Sequence, residues 1–355
     1  MDPVMFRPGA ARTAAPEQKI SLAHGAGGRA MRRLIDDIIL PRLQDPALVR
    51  LEDQATLDLA PVIAQGDRLA MTTDSFVVDP LFFPGGDIGS LAVSGTVNDL
   101  AMGGAIPLYL TCGLILEEGL PVSVLERVVD SLRATADRAG VRIVAGDTKV
   151  VGRGQADKLF INTSGVGVIP AGVALGADRL QPGDHVLVSG PIGKHGAAIA
   201  DARGDFGLEN DIQSDCRPLN GLVAAMLAAC PSLRALRDAT RGGIATVLNE
   251  FAAASGVAIR VQETAIPLEP PVNGLCELLG LDPLYLANEG TLIAVAPPET
   301  APALLAAMRA HPDGAAAALI GSVDTGPAAR VVLQTRFGGE RVVDLLTGEQ
   351  LPRIC

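Results

Sequence analysis

The sequence is poor in aromatic and basic residues, and the shortage of basic residues bears on whether it can bind polyanions. It contains no Trp, and aromatic residues make up 3% of its 355 residues. Lys and Arg number 29 against 40 Asp and Glu, which gives a formal net charge of −11. Nucleic acids and anionic membranes attract clustered positive charge. The composition therefore argues against nucleic acid and membrane as partners.

Long apolar runs are also missing. A membrane-spanning helix needs about 20 consecutive apolar residues. The run at 221–230 is too short, and the run at 301–323 is interrupted by Arg309, His311 and Asp313. Residues 1–19 carry charges, three Pro and one Gly, with no apolar segment typical of a signal peptide. We expect a disordered tail over 1–19 and a cytoplasmic protein.

Paired cysteine motifs are absent. The cysteines are Cys112, Cys216, Cys230, Cys276 and Cys355, and none forms a Cys-x-x-Cys pair, which argues against zinc and iron–sulfur sites. An odd number in a cytoplasmic chain argues against a disulfide framework. Four of them have the contexts of packed or surface thiols, whereas Cys355 is the last residue of the chain.

Strand-like and helix-like segments alternate in both halves of the chain, and a Pro- and Gly-rich stretch separates the halves at 170–183. The pattern predicts an α+β fold with an N-terminal domain over 20–170, a layered C-terminal domain over 183–346 and a mobile tail over 347–355. Hydrophobic periodicity predicts helices at 29–40, 88–102, 121–139, 194–202, 219–229, 244–254, 272–279 and 300–310. It predicts strands at 68–73, 108–116, 141–145, 158–168, 185–189, 258–262, 291–296, 318–323 and 328–333, and a hairpin near 341–345.

Several aspartates lie at the ends of apolar runs or beside glycines, namely Asp53, Asp74, Asp99, Asp147 and Asp238. Mg²⁺ takes oxygen ligands and is usually held by a few carboxylates together with substrate phosphates. Neighbouring glycines let a phosphate approach the backbone. Any one of these aspartates could instead cap a helix or turn a loop. The set as a whole predicts a shared site for magnesium and a polyphosphate.

Five motifs carry a family resemblance in their order along the chain: TTDSFVVDP (72–80), NDLAMGG (98–104), GDTKVV (146–151), DATRGG (238–243) and NEGT (288–291). This set resembles the superfamily of aminoimidazole ribonucleotide synthetase (PurM-like) and selenophosphate synthetase. The ending Pro352-Arg353-Ile354-Cys355 resembles the C-terminal motif of one family within it, the hydrogenase maturation factor HypE. The resemblance covers about residues 20–355.

The resemblance implies a PurM-like two-domain fold whose N-terminal sheet forms the interface of a homodimer. It implies ATP and Mg²⁺ as ligands, with magnesium held by Asp53, Asp74, Asp99, Asp147 and Asp238. The expected ATP-binding residues are Asp74, Asn98, Asp99, Asp147, Thr148, Asp238, Arg241 and Gly242. The expected catalytic residues are Cys355, Lys149 and Glu289.

The implied reaction is an ATP-dependent dehydration. A partner carbamoyltransferase, HypF, loads a carbamoyl group onto the terminal cysteine, here Cys355. The enzyme converts this thiocarboxamide to a thiocyanate, which supplies cyanide ligands for [NiFe]-hydrogenase iron through the HypC–HypD complex. A buried carboxylate such as Glu289 could accept the nitrogen protons, and Lys149 could neutralise developing charge or shuttle a proton.

Other functions remain open from the sequence. Selenophosphate synthetase and thiamine-phosphate kinase are alternatives within the superfamily. The chain lacks the N-terminal Cys (or selenocysteine) and Lys that the former family uses, and a kinase needs no terminal cysteine. A nucleotide-gated assembly scaffold without chemistry of its own is an alternative of a different class.

Overall fold

The fold is that of a computed structural model, which describes residues 18–204, 211–327, 329–346, 348 and 351–355. The helices of the N-terminal half are α1 (Arg29–Leu34), α2 (Leu40–Leu43), α3 (Pro46–Val49), α4 (Ala60–Ile63), α5 (Ile88–Met102) and α6 (Val122–Ala139). Its strands are β1 (Arg68–Phe76), β2 (Phe82–Phe83), β3 (Gly86–Asp87), β4 (Ile106–Glu117), β5 (Arg142–Val151) and β6 (Leu159–Ile169).

The N-terminal sheet has the strand order β1-β6-β4-β5. Helices α5 and α6 cover one of its faces. Helix α5 is rich in small residues and is buried on nearly all sides, because it lies between this sheet and the second half of the chain. Gly89 permits the close approach to α6, since a Cβ there would lie 2.5 Å from the Val128 carbonyl oxygen.

The opposite face of the N-terminal sheet is open and partly apolar. Leu69 and Met71 of β1 are 60% and 75% exposed, and Ile106 and Ile115 of β4 are about two-fifths exposed. Alternation along a strand places successive side chains on opposite faces. The buried residues between these positions therefore pack on the helices, and the open face lacks cover within this chain.

The C-terminal half contains helices α7 (Lys194–Arg203), α8 (Asn220–Ala229), α9 (Gly243–Ser255), α10 (Pro270–Leu279) and α11 (Ala301–Ala310). Its strands are β7 (His185–Val188), β8 (Ala235–Asp238), β9 (Ala258–Gln262), β10 (Leu292–Ala296), β11 (Ala318–Asp324), β12 (Arg330–Gln334) and β13 (Glu340–Val343). They form a sheet of order β13-β12-β9-β11-β7-β10-β8, in which β12 runs parallel to β9 and the other pairings are antiparallel.

The predicted α+β class is confirmed, but several boundaries differ. The helix expected to stop at Pro41 continues through a π-helical turn (Ile35–Ile39) to Leu43, since Pro is tolerated in the first turn of α2. Strand β8 was not predicted, because four residues carry too little periodicity. Strands β1 and β5 run three and six residues past their predicted ends. Residues 146–151, which were expected to follow a strand, are therefore part of β5.

The five cysteines all lie in described residues, and each is a free thiol in this structure. Among the described residues no helix is long and apolar enough to cross a membrane. Residues 1–17 of the expected disordered tail lie outside the described part. Lys19 is described, and it forms a β-bridge with Pro121.

Candidate active site

A group of acidic side chains converges where α5 meets the C-terminal half. Asp74 lies on the α5 side of β1, because a Cβ at Gly95 would be 3.9 Å from its carboxylate. Asp99 is on α5, Asp238 ends β8, and Glu289 lies in the loop before β10. Each of the first three raises the pKa of Glu289. Three of the predicted magnesium ligands therefore share one site with the predicted base.

Asp99 faces the cleft and is held by a neighbour on β1. The Thr72 hydroxyl donates a hydrogen bond of 2.8 Å to its carboxylate. Desolvation raises the pKa of Asp99, Thr72 opposes the rise, and Asp74 adds to it, while Arg241 and Arg237 act in the lowering direction. The cleft therefore combines carboxylates with two guanidinium groups.

Asp238 and Glu289 are the deeper carboxylates of the group. Asp238 is 8% exposed and Glu289 is 2% exposed. Burial, followed by the charge of Asp99, raises the pKa of Asp238 to about 7. Burial and then Asp238 raise the pKa of Glu289 well above its ordinary value. A carboxyl group with a raised pKa can hold or accept a proton near neutral pH, as a general base requires.

The loop that carries Glu289 is fixed by Asp215, which the sequence analysis did not identify. Its carboxylate accepts hydrogen bonds of 3.0 Å from the backbone N–H groups of Glu289 and Gly290, and one of 2.9 Å from the Thr291 hydroxyl. A Cβ at Gly290 would lie 1.8 Å from the Asp215 carbonyl oxygen, so this close approach requires glycine. Asp215 lies in an irregular segment, where the sequence has no periodic signal.

Asn98 was predicted to bind ATP, but it is 1% exposed and its amide oxygen and nitrogen both form hydrogen bonds within the protein. Its amide oxygen accepts from the Leu219 N–H at 2.7 Å, and its amide nitrogen donates to the carbonyls of Arg217 and Glu289. Asn98 therefore joins α5 to the C-terminal half instead of facing a ligand.

Arg241 and Gly242 lie at the entrance to α9. Gly242 has φ 74° directly before that helix, a left-handed conformation that favours glycine. Arg241 borders two adjoining cavities. One, of about 740 Å³, contains Asp99 and Asp238, and the other, of about 540 Å³, is lined by Leu351 and Ile354 near the chain end. The carboxylate cleft is therefore next to the last residues of the chain.

Asp147, Thr148 and Lys149 do not lie in this cleft, contrary to the prediction. Strand β5 continues through them, so the Thr148 side chain is buried while Asp147 and Lys149 lie on the open face, joined by an ion pair of 2.7 Å. Strand β5 is one edge of the sheet and β1 is the other. With neighbouring strands about 4.8 Å apart, Asp147 and Asp74 are too distant to share one ion within a protomer.

Asp53 is exposed, lies between α3 and α4, and does not line either cavity. Among the described residues no three Asp, Glu, His or Cys side chains are close enough to form a metal site by themselves. Asp74, Asp99 and Asp238 nevertheless offer the oxygen donors that Mg²⁺ prefers, and their mutual repulsion would be relieved by a cation. These three residues fit magnesium that arrives with a nucleotide.

The chain end is docked in this structure, although the sequence predicts a mobile tail. We call residues 351–355 the C-terminal segment; Thr347, Glu349 and Gln350 of the predicted tail lie outside the described residues. The Val77 N–H donates to a terminal carboxylate oxygen of Cys355 at 3.1 Å, and the Asp79 N–H donates to the Arg353 carbonyl at 3.3 Å. Ile354 is buried, and Cys355 packs against the core of the N-terminal half.

Two arginines also hold the C-terminal segment. Arg203 of α7 donates to the carbonyls of Asp79 and Pro352 at 2.6 Å and also to that of Arg353. Arg353 donates twice to the Val77 carbonyl at 3.1 Å and pairs with Asp157. The docked Cys355 therefore lies beside Val77, three residues after the cleft residue Asp74.

An Asp238→Asn variant is expected to gain stability relative to the wild type at alkaline pH. The folded pKa of about 7 lies above the ordinary value of 3.8, so the native carboxyl keeps a proton that the unfolded chain releases. The contribution of Asp238 to wild-type stability therefore falls by about 4 kcal/mol as pH rises from about 4 to about 7, and it does not change further above that pH. Asn removes this loss.

Urea unfolding of the magnesium-free proteins at pH 4.5 and pH 8 measures this difference. The exposed Asp178→Asn variant is the matched control and should follow the wild type at both values. An Asp238→Asn advantage of equal size at both pH values would contradict the assignment.

Comparison with known proteins agrees with the two halves of the fold. The family model described as AIR synthase related protein, N-terminal domain, matches residues 51–169, and the corresponding C-terminal domain model matches residues 181–334. A carbamoyl dehydratase HypE from Rhodobacter capsulatus is 55% identical over 339 residues, which cover 96% of this chain and 99% of the relative.

Solved structures agree over most of the chain. A structure of the hydrogenase maturation protein HypE in complex with ATP has a TM-score of 0.89 and 50% identity, and it covers 94% of this chain and 99% of that one. A HypE–HypF complex contains a chain with a TM-score of 0.76 and 43% identity, covering 88% and 99% of the two chains. The chain therefore belongs to the HypE family of carbamoyl dehydratases, on the two-domain fold of the AIR synthase-related proteins.

Proposed function

We propose that the chain is an ATP-dependent carbamoyl dehydratase of hydrogenase maturation that converts a thiocarboxamide on Cys355 to a thiocyanate. One observation carries the proposal: the C-terminal segment docks on the stretch that directly follows β1, the strand that bears Asp74. The Val77 N–H donates to a terminal carboxylate oxygen of Cys355 at 3.1 Å. The carrier residue is therefore next to a carboxylate cleft in the same chain.

The chemistry requires an activated oxygen and the loss of two protons. The carbamoyl oxygen attacks the γ-phosphorus of ATP, and the bond to ADP breaks. Loss of one N–H proton leaves an O-phosphorylated imidate on sulfur. Loss of the second N–H proton, with the C–O bond breaking and phosphate leaving, gives the thiocyanate. Phosphoryl transfer depends mainly on positioning and charge neutralisation.

Asp74, Asp99 and Asp238 are the residues that would hold magnesium together with the phosphates of ATP. The ion would neutralise phosphate charge when bound. Arg241, at the boundary of the cleft and the adjoining cavity, supplies a fixed positive charge to the same phosphates. The chain's net negative charge does not oppose binding, because these groups act locally.

Glu289 is the proposed acceptor of the nitrogen protons. It is almost completely buried, and Asp215 fixes the backbone on both sides of its Cα through bonds to two consecutive N–H groups. A base that does not need to reorganise is effective in a site closed to water. The carboxylates around it raise its proton affinity, which suits removal of a weakly acidic N–H proton.

The proposed partners follow from the reaction. A carbamoyltransferase of the HypF type would load Cys355, and a HypC–HypD complex would receive the cyanide; the setting would be the cytoplasm. Loading requires the C-terminal segment to leave its docked position, because Cys355 lies against the core. The segment is therefore proposed to alternate between the partner's active site and its own.

We also propose a homodimer formed through the open face of the N-terminal sheet. Its exposed apolar residues need cover, and both sheet edges are unpaired among the described strands. A two-fold axis through this face can place edge β5 of one protomer beside edge β1 of its partner. Asp147 and Lys149 would then approach a cleft that their own chain does not let them reach.

A Met71→Glu variant is expected to be monomeric at micromolar concentration, because it buries a charge in the proposed interface. Sedimentation of the wild type and the variant measures this. Leu278→Glu on α10, at a site 58% exposed in the protomer, is the matched control and should remain dimeric. A monomeric wild type, with or without ATP, would remove the proposal.

The function itself is tested on the C-terminal peptide. Incubation with a HypF-type carbamoyltransferase, carbamoyl phosphate and ATP should add one carbamoyl mass to Cys355, followed by loss of one water. Asp74→Asn should still gain the carbamoyl mass but should show little loss of water, because it should bind Mg-ATP weakly. Calorimetry with Mg-ATP measures that binding. A scaffold without chemistry would bind ATP and show no loss of water.

A further inference from the structure

A buried histidine joins the C-terminal segment to the core of the protein. His195 lies in the first turn of α7 and is fully buried. Its Nε2 is 2.5 Å from the carbonyl oxygen of Ile354, and its Nδ1 is 2.8 Å from the Ser214 hydroxyl. The ring also meets Phe83 edge-on, with centroids 5.3 Å apart.

The hydrogen bonds fix the protonation of the ring. A carbonyl oxygen can only accept, so Nε2 carries the hydrogen and donates to Ile354. The Cys216 N–H donates to the Ser214 oxygen at 3.1 Å, which leaves the Ser214 hydroxyl hydrogen for the unprotonated Nδ1. A neutral imidazole therefore satisfies every group. Burial lowers the pKa of His195, which also favours the neutral ring; the hydrogen bond to Ile354 and the charge of Asp215 oppose this shift, and Arg203 adds to it.

The remaining contacts that hold the C-terminal segment differ from this one. Arg203 is exposed and Arg353 is half-buried, so water can reach their bonds. The N–H groups of Val77 and Asp79 add two backbone bonds. The bond from His195 is fully buried and reaches the carbonyl directly before Cys355. A buried group that loses its hydrogen-bond partner and finds no water is costly, so loss of this contact should shift the balance from the docked to the released position.

We propose that His195 is the positioning residue of the carrier cysteine, and that its bond to the Ile354 carbonyl holds Cys355 in the docked position used for dehydration. The proposal rests on the proposed function for its catalytic consequence, but the docking itself can be measured without catalysis. His195 contacts neither ATP nor the carbamoyl group in this scheme and acts through the backbone of residue 354.

Two substitutions separate the two bonds of the ring. In His195→Gln the amide nitrogen reaches the place of Nε2 and can still donate to Ile354. In His195→Asn the shorter amide reaches only the place of Nδ1, so the bond to Ser214 remains and the bond to Ile354 is lost. Both variants lose the edge-on contact between the imidazole ring and Phe83, so this loss is the same in the two. His311→Gln, which lies after α11, controls for histidine replacement away from the C-terminal segment.

The first measurement is alkylation of Cys355 by iodoacetamide without nucleotide or partner, read by mass spectrometry of the C-terminal peptide. Cys112, Cys216, Cys230 and Cys276 are buried and react slowly. We expect His195→Asn to react about tenfold faster than the wild type, the change in docking equilibrium for one lost buried bond. His195→Gln and His311→Gln should stay near the wild-type rate.

The second measurement divides the reaction into its steps. His195→Asn should be loaded with carbamoyl as fast as the wild type or faster, while loss of water slows about tenfold and His195→Gln restores it. A general defect of folding would slow both carbamoyl loading and loss of water. It would also lower the midpoint of thermal unfolding of His195→Asn and His195→Gln alike. Equal alkylation of the Asn variant and the wild type overturns the proposal. If His195→Asn is alkylated faster but even the loaded wild type loses no water, the proposed function is overturned and the docking role of His195 stands.

Discussion

A Cys355→Ala variant is expected to accept no carbamoyl group and to form no thiocyanate, while it binds Mg-ATP as the wild type does. Its side chain packs at the rim of the N-terminal core, so its loss should cost little stability. The contacts that dock the C-terminal segment use the backbone carbonyls of residues 352–354 and the terminal carboxylate of residue 355, and these remain in the variant. Mass spectrometry of the C-terminal peptide and calorimetry with ATP measure the two properties.

Cys276→Ala is the matched control for Cys355→Ala. Cys276 lies in a buried cluster on α10, and its thiol has a pKa raised by burial to about 11, so it is a poor nucleophile at neutral pH. This variant should load and dehydrate like the wild type. If Cys355→Ala acquired a carbamoyl group on another cysteine and still supported hydrogenase maturation, Cys355 would not be the carrier.

A Glu289→Gln variant is expected to be loaded normally and then to stall as the thiocarboxamide. Gln keeps the shape of the side chain but cannot accept the nitrogen protons, and loss of a general base costs about two to four orders of magnitude in rate. The measurement is the ratio of carbamoyl to thiocyanate forms of the C-terminal peptide after addition of ATP.

The pH dependence gives a second readout for Glu289. Its pKa is raised well above the ordinary value by burial and by the neighbouring carboxylates. The proton is therefore held at low pH, and dehydration should speed up as pH rises through the folded pKa and Glu289 ionises. The Gln variant should lose this rise, while the exposed Glu299→Gln control keeps it. A Gln variant that retains the wild-type rate and profile would exclude Glu289 as the base.

The sequence predicts the fold class and most of the elements because their periodic signals are local. Helix α6 lies within one residue of its predicted start and ends at the predicted glycine, which adopts φ 70° after Ala139. Strand β8 and the extensions of β1 and β5 were missed. Their signal is pairing with distant partners, such as Leu292 opposite Asp238, and a single sequence does not show pairing.

The candidate site was predicted in part. The motifs pointed to Asp74, Asp99, Asp238 and Glu289, which the structure brings together, since carboxylates at element ends are visible in a sequence. The face on which a residue lies depends on where a strand ends, so the sequence did not show that Asp147 and Lys149 lie outside the cleft of their own protomer. Asp215, His195 and Arg203 were missed because their importance lies in contacts with distant backbone groups, which have no local signature.

The buried amide of Asn98 has a consequence for how the molecule moves. It bonds three backbone groups across the junction of the two halves, and opening that junction would break all three bonds at once. We therefore expect little hinge motion at this junction. The larger displacement expected during turnover is that of the last few residues, which would carry the substrate to a preformed site.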